Sequence, residues 1–504
     1  MSMTRQRFIP FMFFVLITLQ LAGCVSSEQF YEEVSLSRDA AYRQWKSRKE
    51  RQKQSQTYIS GKLNIEDCLK LALVNNKVLQ RVVQEKEIAR GEEMKSYSAI
   101  LPSVGFTGDY LRKDKVASLG PITFGDVDNY SLDLRVSQPI FAGGSIAARI
   151  NAAKLFSLLT DQTVRAAVEN VTFEVTKKYY DVLLSQELYK ISADAVRLSQ
   201  ANLNNVKQKR QAGVASDFDV LRAEVELSNF KAELIRNRNA ISVAKAELLK
   251  VMGISQDSDF ILSDELIYAP INVTMEEAVA AAYRNRPDLF GRQFDIKLQK
   301  ELLNIARSRY WPVVSGFYDN KWSKPDPHNS IMIEWGKAWS AGITATLPVF
   351  DGFAREGEIL AQKARLKQAQ INLVDAEETA LFELTRALFS IEDAAEFVES
   401  QRLNLTRAEE GLRLAEIGYR EGINTQLETI DAQAALTTAR ANHYQAIYSH
   451  IISRLALQKA MGSLARFEPV VSHGKMENPA SKNTQEQAVP TLSKSKQEQI
   501  NEDR

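Results

Sequence analysis

Ser131-Leu132-Asp133-Leu134-Arg135-Val136-Ser137-Gln138-Pro139 alternates polar and apolar residues one by one. Leu132, Leu134 and Val136 fall on one side of an extended chain, and Ser131, Asp133, Arg135 and Ser137 on the other. That is the period of a β-strand with one greasy and one wet face. Pro139 is expected to end the strand, and Phe141-Ala142-Gly143-Gly144 to turn the chain. From Ser145 to Ala212 there is neither Gly nor Pro. Within that run Val168, Val175, Val182, Tyr189, Val196 and Leu203 fall every seven residues, the spacing of a coiled-coil seam. At 1.5 Å per residue such a helix is roughly 100 Å long. A membrane-compatible strand that feeds a helix of this length is an unusual pairing.

The unit occurs twice. Ser340-Ala341-Gly342-Ile343-Thr344-Ala345-Thr346-Leu347-Pro348 repeats the strand, Phe350-Asp351-Gly352 the turn, and Leu384, Ile391, Val398, Leu405, Leu412 and Tyr419 the seam. Pro139 matches Pro348, Gly213 matches Gly422, and Met252-Gly253 matches Met461-Gly462. A period of about 210 residues marks a duplicated domain, too long for a solenoid unit.

Outward from these units, Arg5 and Arg7 precede an apolar run from Phe8 to Leu21, which reads as a signal peptide over 1–23. Leu21-Ala22-Gly23-Cys24 resembles the bacterial lipobox, whose Cys becomes the lipidated first residue of the mature chain. No Asp follows Cys24, which in that family implies delivery to the outer membrane of a Gram-negative cell. Residues 24–61 form a polar extension. The first repeat occupies 62–253, with a β-hairpin over 103–139 and a helical hairpin over 145–252. A linker over 254–272 leads to the second repeat over 273–465, with a β-hairpin over 313–348 and a helical hairpin over 354–461. Residues 466–504 are polar and read as a disordered tail. Asn64 and Thr274 suit helix N-caps at matching places, and Asn75-Asn76 and Asn285-Arg286-Pro287 break both helices. Trp311, Trp322, Trp335 and Trp339 bracket the second β-hairpin, as an aromatic girdle or as core packing would require.

Composition excludes several classes. Net charge is +1, with no basic patch interleaved with aromatics, so no nucleic-acid partner is expected. Two cysteines, Cys24 and Cys68, exclude a disulfide framework, and Cys68 reads as a small buried apolar residue. His443 and His450 lie seven apart without a third ligand, and no phosphate loop, dinucleotide fingerprint or nucleophile elbow is present. No enzyme, metal or cofactor is expected. Four strands cannot close a barrel, and an open sheet edge is excluded in lipid, so several protomers must share one barrel.

The residues at the duplicated junctions, Pro139-Ile140-Phe141-Ala142-Gly143 and Pro348-Val349-Phe350-Asp351-Gly352, and at the hairpin tips from Gly213 and Gly422, resemble the TolC-type outer-membrane efflux family over residues 62–464. The resemblance implies an α+β membrane protein with a coiled-coil helical barrel joined to a trimeric transmembrane β-barrel, four strands per protomer. It implies an exit duct of a tripartite efflux or type I secretion system, in the outer membrane with its tunnel in the periplasm. A periplasmic adaptor and an inner-membrane pump of unspecified class would be its partners. By the same resemblance Glu428 and Asp431 match an acidic constriction. Tyr419, Asp219 and Gln208 match a gate latch, with Asn424 standing where an Arg is familiar. Gly213, Val214, Ala215, Gly422 and Ile423 match adaptor-docking tips. The competing reading is a periplasmic coiled-coil adaptor or a structural outer-membrane lipoprotein without a pore.

Overall fold

The computed structural model describes residues 27–51, 60–120, 122–329 and 331–464. The expected signal peptide, the lipidation residue Cys24 and the tail from 466 lie outside them. The polar extension carries a helix, α1 (Ser27–Arg51), before β1 (Ser60–Leu63). The first repeat then runs α2 (Ile65–Asn75), α3 (Lys77–Tyr97), β2 (Ser103–Arg112), β3 (Ala117–Leu119), β4 (Ile122–Phe124), β5 (Asp128–Ala142), α4 (Ser145–Gln211) and α5 (Asp217–Met252). After β6 (Asp259–Leu262) the second repeat gives α6 (Met275–Asn285), α7 (Pro287–Ser308), β7 (Val313–Lys324), β8 (Gly336–Thr346), α8 (Ala354–Arg420) and α9 (Gln426–Ala460). The two long helices have 67 residues each.

The strands form one antiparallel sheet in the order β2-β5-β7-β8, so the duplicated hairpins join through the β5–β7 ladder. Both outer strands keep a free edge within the chain. Residues opposite one another in an antiparallel ladder share a face. The register therefore sets Val104, Phe106, Leu132, Leu134, Val136, Tyr318, Trp322, Trp339 and Ile343 on one, mostly apolar side, together with the polar Asn320 and Lys337. Thr107, Asp109, Asp133, Arg135, Asp319, Lys321, Ser340 and Thr344 fall on the other. Arg135 reaches Asp319 on that polar face at 3.5 Å. Pro139 does not end its strand: β5 continues to Ala142, and the ladder shifts register between Pro139 and Phe141. A residue without an N–H is accommodated where the ladder is already irregular.

Both repeats build the same helical joint. Asn64 Oδ1 accepts the Asp67 N–H at 2.8 Å, and Thr274 forms a reciprocal capping box with Glu277. The chain then breaks at Asn76 and at Arg286. Asn76 Nδ2 donates to the Val251 carbonyl at 2.7 Å, and Arg286 Nη1 to the matching Ala460 carbonyl at 3.3 Å. Arg286 also holds Asp288 at 2.7 Å and Glu383 at 2.6 Å. Gly253 and Gly462 press backbone against these breaks. A Cβ on Gly253 would stand 2.2 Å from the Asn75 carbonyl oxygen, and one on Gly462 2.8 Å from the Arg286 nitrogen. Each returning helix thus abuts the start of a short helix, and the pair covers the length of its long partner.

The rows of helices follow. Next to the sheet the packing order is α3–α4–α7–α8, and beyond the joint it is α5–α4–α9–α8. The main core lies at the first joint, where Val175, Tyr179, Val182, Leu248, Met252 and Phe260 are buried together with Cys68. Burial pushes the Cys68 thiol up to about 12, as suits an inert packing residue. Tyr179 Oη donates to Asp264 at 2.7 Å, and β1 pairs in parallel with β6, which ties the extension to the linker. His450 is buried with its ring 4.6 Å from that of Tyr268. Among the described residues no helix is long and apolar enough to cross a membrane.

Candidate functional site at the hairpin tips

The ends of the long helical hairpins, farthest from the sheet, gather most of the residues singled out by the sequence. Gly213 and Gly422 have φ of 77° and 75°, and each ends its outgoing helix. The Gly213 N–H donates to the Arg210 carbonyl at 2.9 Å and the Val214 N–H to that of Lys209 at 3.0 Å. In the second tip the Ile423 and Asn424 N–H groups both donate to the Gly418 carbonyl, at 2.7 and 3.0 Å. Val214 and Ile423 stand out as apolar knobs, 73% and 81% exposed. Gly213 and Gly422 are exposed beside them, and Ala215 is half-buried.

Each returning helix starts with a capping box. Ser216 and Asp219 form the first, with the Ser216 N–H and hydroxyl donating to Asp219 at 2.9 and 2.7 Å. These bonds hold the Asp219 carboxyl below its usual range. Thr425 and Glu428 form the second, with the Thr425 N–H donating to Glu428 at 2.7 Å. Asp219 and Glu428 are therefore equivalent positions with the same local role.

Gln426, Thr429, Ile430 and Gln433 make the buried stripe of α9. At 100° per residue, Glu428 and Asp431 fall together on the opposite side, and both are exposed. The chain thus presents two carboxylates on one face, turned away from its own helices.

The latch residues are not brought together in the way their resemblance implies. Among the described residues no hydrogen bond joins Tyr419 to Asp219 or to Gln208. The Asp219 carboxylate is engaged in its own turn, and Gln208 is exposed. The Tyr419 ring instead lies under Lys209 of the first hairpin, with Nζ 3.6 Å from the ring centroid. Asn424 packs on its own helix: a Cβ on Gly418 would stand 2.6 Å from the Asn424 Cγ. The hairpins touch again where Gln426 Nε2 donates to the Asp219 backbone carbonyl at 3.4 Å. Lys209, Gln426 and Gly418 escaped the sequence reading. Gln426 gave one faint signal, a polar residue in register with the buried stripe.

A sheet with one apolar and one polar face, mounted on rows of helices with free sides, defines a subunit of a membrane duct. A family model described as outer membrane efflux protein matches residues 68–254 and 278–463, the two repeats in turn. The toluene efflux pump outer membrane protein TtgC of Pseudomonas putida is 22% identical over 408 residues, covering 79% of this chain and 82% of that one. The cobalt-zinc-cadmium resistance protein CzcC of Cupriavidus metallidurans is 22% identical over 389 residues, 76% of this chain and 86% of that one. The CmeC outer membrane channel of Campylobacter jejuni shares the fold with a TM-score of 0.70 at 16% identity, over 79% of this chain and 85% of that one. The chain belongs to the outer membrane efflux protein family. It is a channel protein of the Gram-negative outer membrane, serving efflux or secretion, and not an enzyme.

Proposed function

We propose that three copies of this chain close into one duct, which passes substrates from a periplasmic adaptor and an inner-membrane pump to the exterior. The observation that carries this is a second, unpartnered seam on the outer helices of each row. On α8, Phe382, Phe389, Leu403 and Ile417 are exposed at multiples of seven residues, apart from the buried seam of Leu384, Ile391, Val398 and Leu412. On α5, Phe218 and Val225 are exposed seven apart, and Leu221 and Ile235 fourteen apart. Such seams take a coiled-coil partner. One rotation that sets α5 against a neighbour's α8 also brings the free edge of β2 to a neighbour's β8, and the strand directions alternate correctly across that junction.

Three copies suit the polar sheet face better than two. Eight strands enclose only enough room for their own side chains. Charged residues such as Asp133, Arg135, Asp319 and Lys321 need a wetter interior, which twelve strands provide. The apolar face then meets lipid, with Trp322, Trp339, Tyr110 and Tyr130 toward the outer end, as interfacial aromatics are placed. Lipidation at Cys24 would anchor the N-terminus in the same membrane. Val214 and Ile423 at the tips would meet the adaptor, and Glu428 and Asp431 would ring the lumen with six carboxylates. The substrate is left open, because the relatives carry names as different as toluene and cobalt-zinc-cadmium.

Native mass spectrometry of the detergent-extracted protein tests this directly. The expected result is three chains, each bearing a diacylglyceryl group on Cys24, that conduct ions in a planar bilayer. A monomer without conductance would favour the structural lipoprotein, and a mature N-terminus at another residue would remove the anchor alone.

A further inference from the structure

We propose that the apolar wall of the sheet carries, at its outer rim, a binding site for a phosphorylated glycolipid of the outer leaflet, with Lys324 and Lys337 as its phosphate ligands. The proposal rests on the duct reading above, which sets this wall against lipid. Lys337 stands opposite Trp322 in the β7–β8 ladder, and Lys324 opposite Tyr130 in the β5–β7 ladder. Trp322 and Lys324 are two apart on β7, so both lysines share the side that holds Leu132, Leu134 and Ile343. They are diagonal neighbours, about 7–8 Å apart at the backbone. Two long side chains at that spacing can close on one phosphate.

Their height suits a headgroup. From Leu347, just past the inner end of β8, to Lys337 is about ten residues, or about 25 Å of height at a rise near 3.3 Å and a tilt near 40°. That is the height of the apolar band of a membrane barrel. Lys337 therefore stands at the outer edge of the band, and Lys324 a step beyond it. Aromatic rings surround the pair. Tyr110 and Tyr130 lie 5.1 Å apart, and Tyr130 and Trp335 6.3 Å apart, in a row from β2 across β5 toward β8. Deeper on the same side Tyr318 and Trp339 stack at 6.3 Å. Lys337 carries its ammonium over the Trp322 ring, with Nζ 5.7 Å from the centroid.

The chain does not neutralise either ammonium. Arg112, at the same rim, pairs with Asp128 opposite it at 3.4 Å. Asp326 and Glu334, in the loop between β7 and β8, make no ion pair with Lys324 or Lys337, and neither lysine has another among the described residues. A single lysine on such a wall needs no ligand, because its flexible stem carries the charge out to water. Two in neighbouring rungs repel each other, and an anion between them turns that repulsion into attraction. The outer leaflet of a Gram-negative cell offers such an anion as the phosphate of its glycolipid. The acyl chains of that lipid would then lie along Leu132, Leu134 and Trp339.

Native mass spectrometry of the full-length protein in detergent tests this. The protein is titrated with bisphosphorylated lipid A, and for comparison with dephosphorylated lipid A and with phosphatidylglycerol. The expected result is a trimer that prefers the bisphosphorylated over the dephosphorylated form by about twenty-five-fold, about fivefold for each lysine. Lys324→Gln with Lys337→Gln should remove that preference, and Lys324→Arg with Lys337→Arg should keep it. Lys321→Gln takes an ammonium from the same strand but from the polar face, and should leave the preference unchanged. Equal binding of the two forms by the wild type would overturn the site, as would a loss in Lys321→Gln as large as in the double variant. Phosphatidylglycerol bound as tightly as bisphosphorylated lipid A would overturn the assignment to a glycolipid, and release of the lipid by excess inorganic phosphate would show a site for the free anion instead. The same spectra count chains. A monomer throughout would overturn the duct reading, whereas a trimer without the preference overturns the lipid site alone.

Discussion

Glu169 on α4 shows at the residue scale how the joint sets a titration. It is 5% exposed, its Oε1 has no hydrogen-bond partner, and burial pushes its carboxyl up to about 7. Arg165 on its own helix, Arg286 at the start of α7 and Lys459 on α9 pull the value back, while Asp288 beside Arg286 adds to the rise. A carboxyl whose folded pKa lies above its unfolded one favours folding while both states are neutral. That contribution is fully present below about 4.5 and is lost as pH rises through about 7. The expected outcome is a protein whose resistance to denaturant falls between pH 5 and pH 8. Glu169→Gln should flatten that dependence and add about 2 kcal/mol at pH 8. Denaturation midpoints at the two pH values check it, and a variant that shifts both midpoints equally would show that the charge of Glu169 is not the cause.

At the scale of the element, the sheet gives a test that its register sharpens. Leu134→Lys and Ile343→Lys place an ammonium on the apolar face and should cost about 2–4 kcal/mol near the bilayer midplane. Thr344→Lys lies on the polar face opposite Ser315 and should be tolerated. Asp133→Lys is different, although alternation alone classes it with Thr344. Asp133 stands opposite Lys321, so the variant sets like charges across the ladder and should cost about 0.5–1 kcal/mol. Urea unfolding of each variant in detergent or lipid orders the four. Equal losses on both faces would contradict the alternation. The helical joints belong to this scale too. Asn76 and Arg286 are chemically unlike, yet each satisfies the carbonyl of the last turn of a returning helix. The duplication preserved a geometric requirement and let its chemistry diverge.

For the whole molecule, the proposed ring of Glu428 and Asp431 predicts ion preference. Carboxylates packed around a pore favour cations and bind multivalent ones. Glu428 also caps α9, so the substitution must remove charge and keep the cap. Glu428→Gln does this, because Gln can complete a capping box with Thr425. With Asp431→Asn it should lower cation selectivity and relieve block by multivalent cations, without raising the open fraction. Reversal potentials across a salt gradient measure the first, and unchanged selectivity would return both residues to a solvated helix face.

The sequence by itself determined the elements and their duplication. Period two marked the strands, period seven the long helices, and Gly213, Gly422, Asn64 and Thr274 their ends, because these signals are local and lie in the chain whatever it packs against. It also carried the family. It missed α1, the β1–β6 pair and the small β3–β4 hairpin, whose short or exposed segments give little periodicity. Only the tertiary structure decided which side chains meet. It carried β5 past Pro139, because pairing with β7 sustains a strand that Pro alone would end. It engaged Asp219 in its own helix cap and gave Tyr419 to Lys209, two residues more than two hundred positions apart in sequence. Partners across helices depend on rotation and offset of one helix against another. Those are fixed by packing along the whole seam, and no single residue records them.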